Sequence, residues 1–171
     1  MRRSWLIPFL AGGSAAALLD SLLQVRPMFD STPHDPAPDY AGALQRMAAL
    51  TALDTSRVKP ACRSRLLTHG ARTERAIVLF HGFTNCPAQF TKLAGALFAR
   101  GYNVLVPRFP QHGLESLASD LGQLSPDDLL ATARRSLDIA HGLAPHVTVL
   151  GFSMGGGLAA WCGQNRADVD R

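Results

Sequence analysis

A serine bracketed by glycines stands at Gly151-Phe152-Ser153-Met154-Gly155, directly after the apolar run Val147-Thr148-Val149-Leu150 and before a small-residue segment able to form a helix. A hydroxyl becomes a useful nucleophile when it is held clear of the backbone within reach of a base, and a tight strand-to-helix turn supplies the first condition. Such a turn needs glycine at 151 and 155, where a Cβ would collide with neighbouring chain. The N–H of Met154, at the start of the helix, then lies close to where an oxyanion would form on an attacked carbonyl. The spacing does not match G-x-G-x-x-G, and no suitable acidic residue follows about 20 positions on, so a dinucleotide-binding turn is not indicated. The plain alternative is a Gly-rich turn that only joins strand to helix.

Two further segments bear on the same chemistry. The apolar run ending at Phe80 leads straight into His81-Gly82-Phe83-Thr84, and the strand ending at Val106 leads into Pro107-Arg108-Phe109-Pro110-Gln111-His112-Gly113. His-Gly followed by an apolar residue after the first central strand resembles the oxyanion loop of the α/β-hydrolase family. The second segment is similar to the Arg-x-x-Gly-His-Gly loop of esterases and monoacylglycerol-lipase-like members. The resemblance covers about residues 63 to 171. It implies that the backbone amides of Phe83 and Met154 form an oxyanion hole, that Ser153 is the nucleophile, and that His81 and Gly82 shape the loop without abstracting the serine proton. His112 and Gly113 are likewise implied to stabilise their loop.

The elements that must place these residues can be read from pattern. Arg63 to Thr68 could be a lead-in strand, and Ala76 to Phe80 is a continuous apolar run suited to a buried central strand. A helix with Pro87 in its first turn follows, with Phe90, Leu93, Ala94, Leu97 and Phe98 on one face and Gly101 at its end. Tyr102 to Val106 is the next strand. Ser125, Pro126, Asp127 and Asp128 mark a helix start, with a cap, a first-turn proline and negative charge at the positive end of the dipole. Leu130, Ala133, Leu137 and Ala140 form its inner face, and Gly142 and Pro145 mark its exit. Val147 to Leu150 is a third strand, and the segment after Met154 is helical to about Gln164. This alternation predicts an α/β class: a mostly parallel sheet flanked by helices, here a partial α/β-hydrolase fold without the later strands or a lid.

Ahead of the domain, Met1-Arg2-Arg3 and the apolar run that follows read as an export signal over residues 1–25, either cleaved after small residues such as Ala15-Ala16-Ala17 or kept as an anchor by residues 5–23. A hydrophobic helix packed on the domain is the alternative. This places the protein outside the cytoplasm or on a membrane by its N-terminus. Residues 26–40 hold Pro27, Pro33, Pro36 and Pro38 and favour an extended, mobile linker. Residues 41–171 are the N-terminal part of the hydrolase-like domain, opening with an amphipathic helix from Ala41 to Leu53 that turns Leu44, Met47, Ala48 and Leu50 inward.

The formal charge of +4 on 171 residues is spread without a basic, aromatic-laced stripe, so nucleic acid is not an expected partner. Cys62, Cys86 and Cys162 include no C-x-x-C pair, so no metal site and no cofactor are expected. Export would allow a Cys62–Cys86 disulfide, since both lie at the edge of the first sheet segments.

The family order places an acid and then a histidine after the nucleophile. No histidine follows Ser153 in this sequence, and Asp168 and Asp170 come too early for the family's acid, reading instead as solvent-facing turn residues. The expected activity is hydrolysis of a small-molecule or lipid carboxylic ester through an acyl-enzyme, with base and acid beyond residue 171. The 171 residues alone are expected to be inactive and, with an open sheet edge, poorly stable. Two other readings stay open: an inactive module that binds an acyl ligand or partner, favoured by the absent base, and acyl transfer to an acceptor other than water.

Overall fold

The computed structural model describes residues 33–115 and 121–170. The N-terminal run read as an export signal lies outside them.

Four strands form one open sheet in the order β1, β3, β2, β4, where β1 is Arg65–Leu67, β2 Arg75–Phe80, β3 Asn103–Val106 and β4 His146–Gly151. The pairs β3–β2 and β2–β4 are parallel, while β1 runs antiparallel to β3. The class is therefore α/β with a mostly parallel sheet, as the alternation of elements predicts. Beyond β4, Asp170 returns to bridge Thr148 in parallel, its N–H donating to the Val147 carbonyl at 2.8 Å.

Period-two alternation in β2 decides what lies on each face. Ala76, Val78 and Phe80 enter a large core with Leu105, Val147 and the inner faces of α1 (Tyr40–Thr51), α3 (Pro126–Leu143) and α4 (Met154–Asn165). Ile77 and Leu79 face the other way, toward Phe90 and Ala94 at α2 (Thr91–Phe98). Both faces are covered, which is why β2 and β3 read as unbroken apolar runs.

The α3 helix starts as its sequence requires. The Ser125 side chain accepts from the Asp128 N–H, and the Asp128 carboxylate accepts from the Ser125 N–H, which closes a capping box ahead of Pro126. Leu130, Ala133, Leu137 and Ala140 are all buried. Gly142 is not the stop that its type suggests. It lies inside α3 where the chain of α1 passes over it, and a Cβ there would stand 2.5 Å from the Asp39 carbonyl and 2.8 Å from the Ala43 Cβ.

That approach also shifts the buried stripe of α1. It runs through Ala43, Met47 and Leu50, while Leu44 is 39% exposed and Ala48 faces solvent. A small residue is needed where two helices come this close, so Ala43 takes the place expected for leucine. In the segment after β2, Pro87–Phe90 is a 3-10 turn and the α-helix begins only at Thr91, leaving Leu93 at the rim. Residues 33–39 have no helix or strand, and Ala37 is buried with its N–H on the Asp138 carbonyl at 2.8 Å. Among the described residues no helix is long and apolar enough to cross a membrane.

Candidate functional site

The β4–α4 turn holds Ser153 at φ 53°, ψ −119°, and among the described residues only Gln111 shares a positive φ without being glycine. An L-residue pays about 1–3 kcal/mol for such a conformation, which persists only where the surroundings over-determine it. Here they do. The Phe152 N–H donates to the Phe80 carbonyl at 3.0 Å, extending the β2–β4 ladder to the end of the strand. The chain must then reverse into α4 at once. A Cβ on Gly151 would overlap the Gly155 carbonyl, and one on Gly155 would overlap the Phe80 carbonyl. Both glycines are required by close approach of backbone, as the spacing implies.

The reversal leaves the Ser153 side chain exposed, and among the described residues nothing bonds its hydroxyl. Met154 opens α4, so its N–H is one of the amides without an intrahelical acceptor. The His81-Gly82-Phe83 loop lies alongside: a Cβ on Gly82 would stand 3.7 Å from the Ser153 Cβ. The structure thus brings Ser153, Met154, Gly82 and Phe83 to one edge of the sheet. Phe83 and Phe152, 44% and 59% exposed, give that edge an apolar border.

Hydrogen bonds fix the loop. The Gly82 N–H donates to Gln89 Oε1 at 3.0 Å, and the Asn85 N–H to the Gly82 carbonyl at 3.0 Å. His81 is fully buried, with Nδ1–H donating to the Gly82 carbonyl at 2.9 Å and Nε2 accepting from the Phe109 N–H at 3.2 Å. Burial outweighs the Gly82 bond and pushes its pKa down to about 4, so the ring is neutral near pH 7 with both nitrogens engaged by backbone. A ring so engaged has no lone pair left for a serine proton.

His112 is buried edge-on against His81, Phe83 and Phe109. Its Nδ1–H donates to the Pro110 carbonyl at 2.8 Å, and its buried Nε2 has no partner among the described residues. Gly113, at φ 68°, lies so close to the Cys62–Cys86 disulfide that a Cβ on it would overlap the Cys62 Cβ.

Sequence reasoning gave no role to the residue that organises this second loop. Arg108 is buried and pairs with Asp54 Oδ1 at 2.6 Å, while its other nitrogens donate to the carbonyls of Phe109, His112 and Leu53. Its only sequence signal is its place at the head of the Arg-x-x-x-His-Gly segment. The expectation that Asp168 faces solvent is corrected. Asp168 takes two hydrogen bonds from the buried Arg166, at 2.8 and 2.7 Å, and stands 2.9 Å from His141 Nε2. These bonds hold its carboxyl down at about 2. Asp170 is exposed, 3.3 Å from His146. This carboxylate–imidazole group belongs to the other end of the sheet. His146 opens β4 and Ser153 follows its far end, about 20 Å away for a strand of this length. Among the described residues no cluster of three or more His, Cys, Asp or Glu is placed to hold a metal.

The model of the alpha/beta hydrolase family matches residues 77–169. The chain is 29% identical over 93 residues to a thermostable monoacylglycerol lipase of Bacillus sp. strain H-257, a match covering 54% of this chain and 36% of that protein. It therefore spans about a third of the length of that relative. Among solved structures, it is similar to one from work on LipS and LipT, two metagenome-derived lipolytic enzymes, with 24% identity, TM-score 0.44, and 62% and 41% of the two chains covered. It is also similar to MenH from S. aureus, with 21% identity, TM-score 0.46, and 62% and 38% covered.

Proposed function

Starting from the fact that this chain belongs to the alpha/beta hydrolase family, we propose that the protein hydrolyses carboxylic esters through an acyl-enzyme formed on Ser153. The observation that carries this reading is the left-handed backbone of Ser153 on a strand-to-helix turn beside the Gly82–Phe83 loop. Strain of this kind is kept where it aims a reactive group.

In this mechanism Ser153 Oγ attacks the ester carbonyl and its proton passes to a histidine that the family order places after the nucleophile. The amides of Met154 and Phe83 donate to the oxyanion as the carbonyl π electrons move onto oxygen. Collapse of the tetrahedral intermediate breaks the ester C–O bond, and the histidine returns the proton to the departing alcohol. Water then attacks the acyl-enzyme by the same route, releasing the acid and restoring Ser153. His81 and His112 hold loops and take no part in the proton transfer. Residues 1–25 act as an export signal or anchor, residues 26–40 join it to the domain with Ala37 already packed on α3, and the enzyme meets its ester outside the cytoplasm or at a membrane. The lipase name of the Bacillus relative and the exposed Phe83 and Phe152 favour an acylglycerol or another ester with an apolar acyl chain.

Labelling of the full-length protein by a fluorophosphonate, which phosphonylates an activated serine, tests the assignment. Labelling should vanish in Ser153→Ala. If that variant still labels, Ser153 is not the nucleophile.

A further inference from the structure

Three segments distant in sequence meet at the Cys62–Cys86 disulfide. Cys62 ends the 3-10 turn Pro60–Cys62. Cys86 closes the loop that begins at His81, its N–H held by Asn85 Oδ1 at 3.0 Å. The third segment is the Gln111–Gly113 turn, which lies over the bridge: Lys59 N–H donates to the Gly113 carbonyl at 2.9 Å, Val58 pairs with Leu114, and a Cβ on Gly113 would stand 3.4 Å from the Cys86 Cβ. From that turn the His112 ring reaches Phe83 edge-on at 5.9 Å.

Val58, Cys62, Cys86 and Leu114 form an apolar cluster of their own, apart from the two cores that hold the sheet to its helices. So small a cluster buries little surface, and where the three segments meet the covalent link adds to the hydrogen bonds that Arg108 and Gln89 supply to the two loops. The cores that carry β2, β4, α3 and α4 share no residue with it, so the packing at the link is separate from the packing of the sheet.

We propose that the Cys62–Cys86 disulfide is a positioning element for the site: it anchors the far end of the His81–Cys86 loop and seats the His112 turn, and together these hold the Phe83 amide beside Ser153. The proposal rests on the reading of Ser153 as nucleophile and Phe83 as oxyanion donor. It assigns the disulfide an effect on the chemical step. Ligand affinity, set by the apolar border, should move little.

The test compares full-length wild type with Cys62→Ala/Cys86→Ala, in which the cluster stays apolar. Two experiments are run: phosphonylation by a fluorophosphonate, read as its saturating rate and half-saturation concentration, and amide hydrogen exchange along the chain. The expected result is a saturating rate at least tenfold lower with half-saturation within twofold. Exchange should be faster at residues 82–86 and 110–114 and unchanged in β2, β4 and α3. An unchanged rate overturns the proposal, even with faster loop exchange. Unchanged loop exchange also overturns it, and so does faster exchange across the whole sheet, because the link would then support the fold and not the loop. Persistent labelling of Ser153→Ala would bring down the functional reading instead, and the exchange data would still show whether the disulfide holds the loops.

Discussion

Gly155 lies so tightly against Phe80 that a Cβ on it would overlap the Phe80 carbonyl oxygen and stand 2.6 Å from that of His81. The start of α4 is thereby fixed against the end of β2, and Ser153 beside the loop that β2 runs into. No rotamer change can relieve an overlap with backbone. Gly155→Ala should cost about 3 kcal/mol of stability, at the upper end of overpacking effects, and should abolish fluorophosphonate labelling. Gly157, two residues on, has nothing within 4 Å of its Cβ position. Gly157→Ala should therefore gain about 0.5–1 kcal/mol from helix propensity. Urea midpoints of the two variants against wild type check the contrast, and equal effects would mean that the packing at Gly155 is not as described.

Acid should weaken the fold in two stages. His81 is held neutral by burial, with its pKa lowered from the usual 6.5 to about 4. Above pH 6.5 both folded and unfolded chains carry a neutral ring, so this group leaves stability flat. Between 6.5 and 4 the unfolded chain takes up a proton that the folded one refuses, and stability falls with pH by about 3 kcal/mol at most. His141, lowered mainly by burial, adds in the same direction. Asp168, held down at about 2 chiefly by its hydrogen bonds to Arg166, causes the second loss, which sets in as pH drops below the usual 3.8. His81→Gln keeps an acceptor for the Phe109 N–H and should flatten the first stage in urea titrations run from pH 7 to pH 4.5. A slope as steep as wild type would remove His81 as its source.

Much of this arrangement was legible in the sequence because it rests on local pattern. The Ser125-Pro126-Asp127-Asp128 start, the apolar runs of β2 and β3, and the glycine spacing about Ser153 each encode structure within a few residues. What was not legible depends on contacts between distant segments. Nothing near Ala43 indicates that Gly142 will pass beneath it and displace Leu44 from the core. Nothing near Asp168 and Arg166 indicates that Asp138 and His141, on α3, will close around their pairing. The Asp54–Arg108 pair joins two loops, and although Arg108 heads the Arg-x-x-x-His-Gly segment, nothing near Asp54 marks it as the partner.

That pair carries its own prediction. Arg108 and Asp54 have side chains only 8% and 3% exposed, and Arg108 also serves three backbone carbonyls. Removing one member of a buried pair leaves the other charged and unpaired, at about 3–5 kcal/mol. Arg108→Met should destabilise by that amount and release the His112 turn, seen as faster hydrogen exchange at residues 109–113. Arg108→Lys should recover little, because a single ammonium cannot reach the carboxylate and the three carbonyls that the guanidinium fork serves together. If Arg108→Lys matches wild type in both measurements, charge alone holds the loop.

The strain at Ser153 allows the nucleophile assignment to be tested against stability. At φ 53°, ψ −119° a side chain is penalised and glycine is not. Ser153→Gly should therefore raise stability by about 1 kcal/mol through relief of strain, although glycine gives part of this back by freeing the unfolded chain. Ser153→Ala keeps the Cβ and the strain, and it should melt close to wild type. Both variants should lose fluorophosphonate labelling completely. A protein that becomes more stable when its reactive residue is replaced has given up stability to hold that residue in place. If Ser153→Gly is less stable than Ser153→Ala, the turn is not strained, and the geometric argument for Ser153 as the attacking residue falls with it.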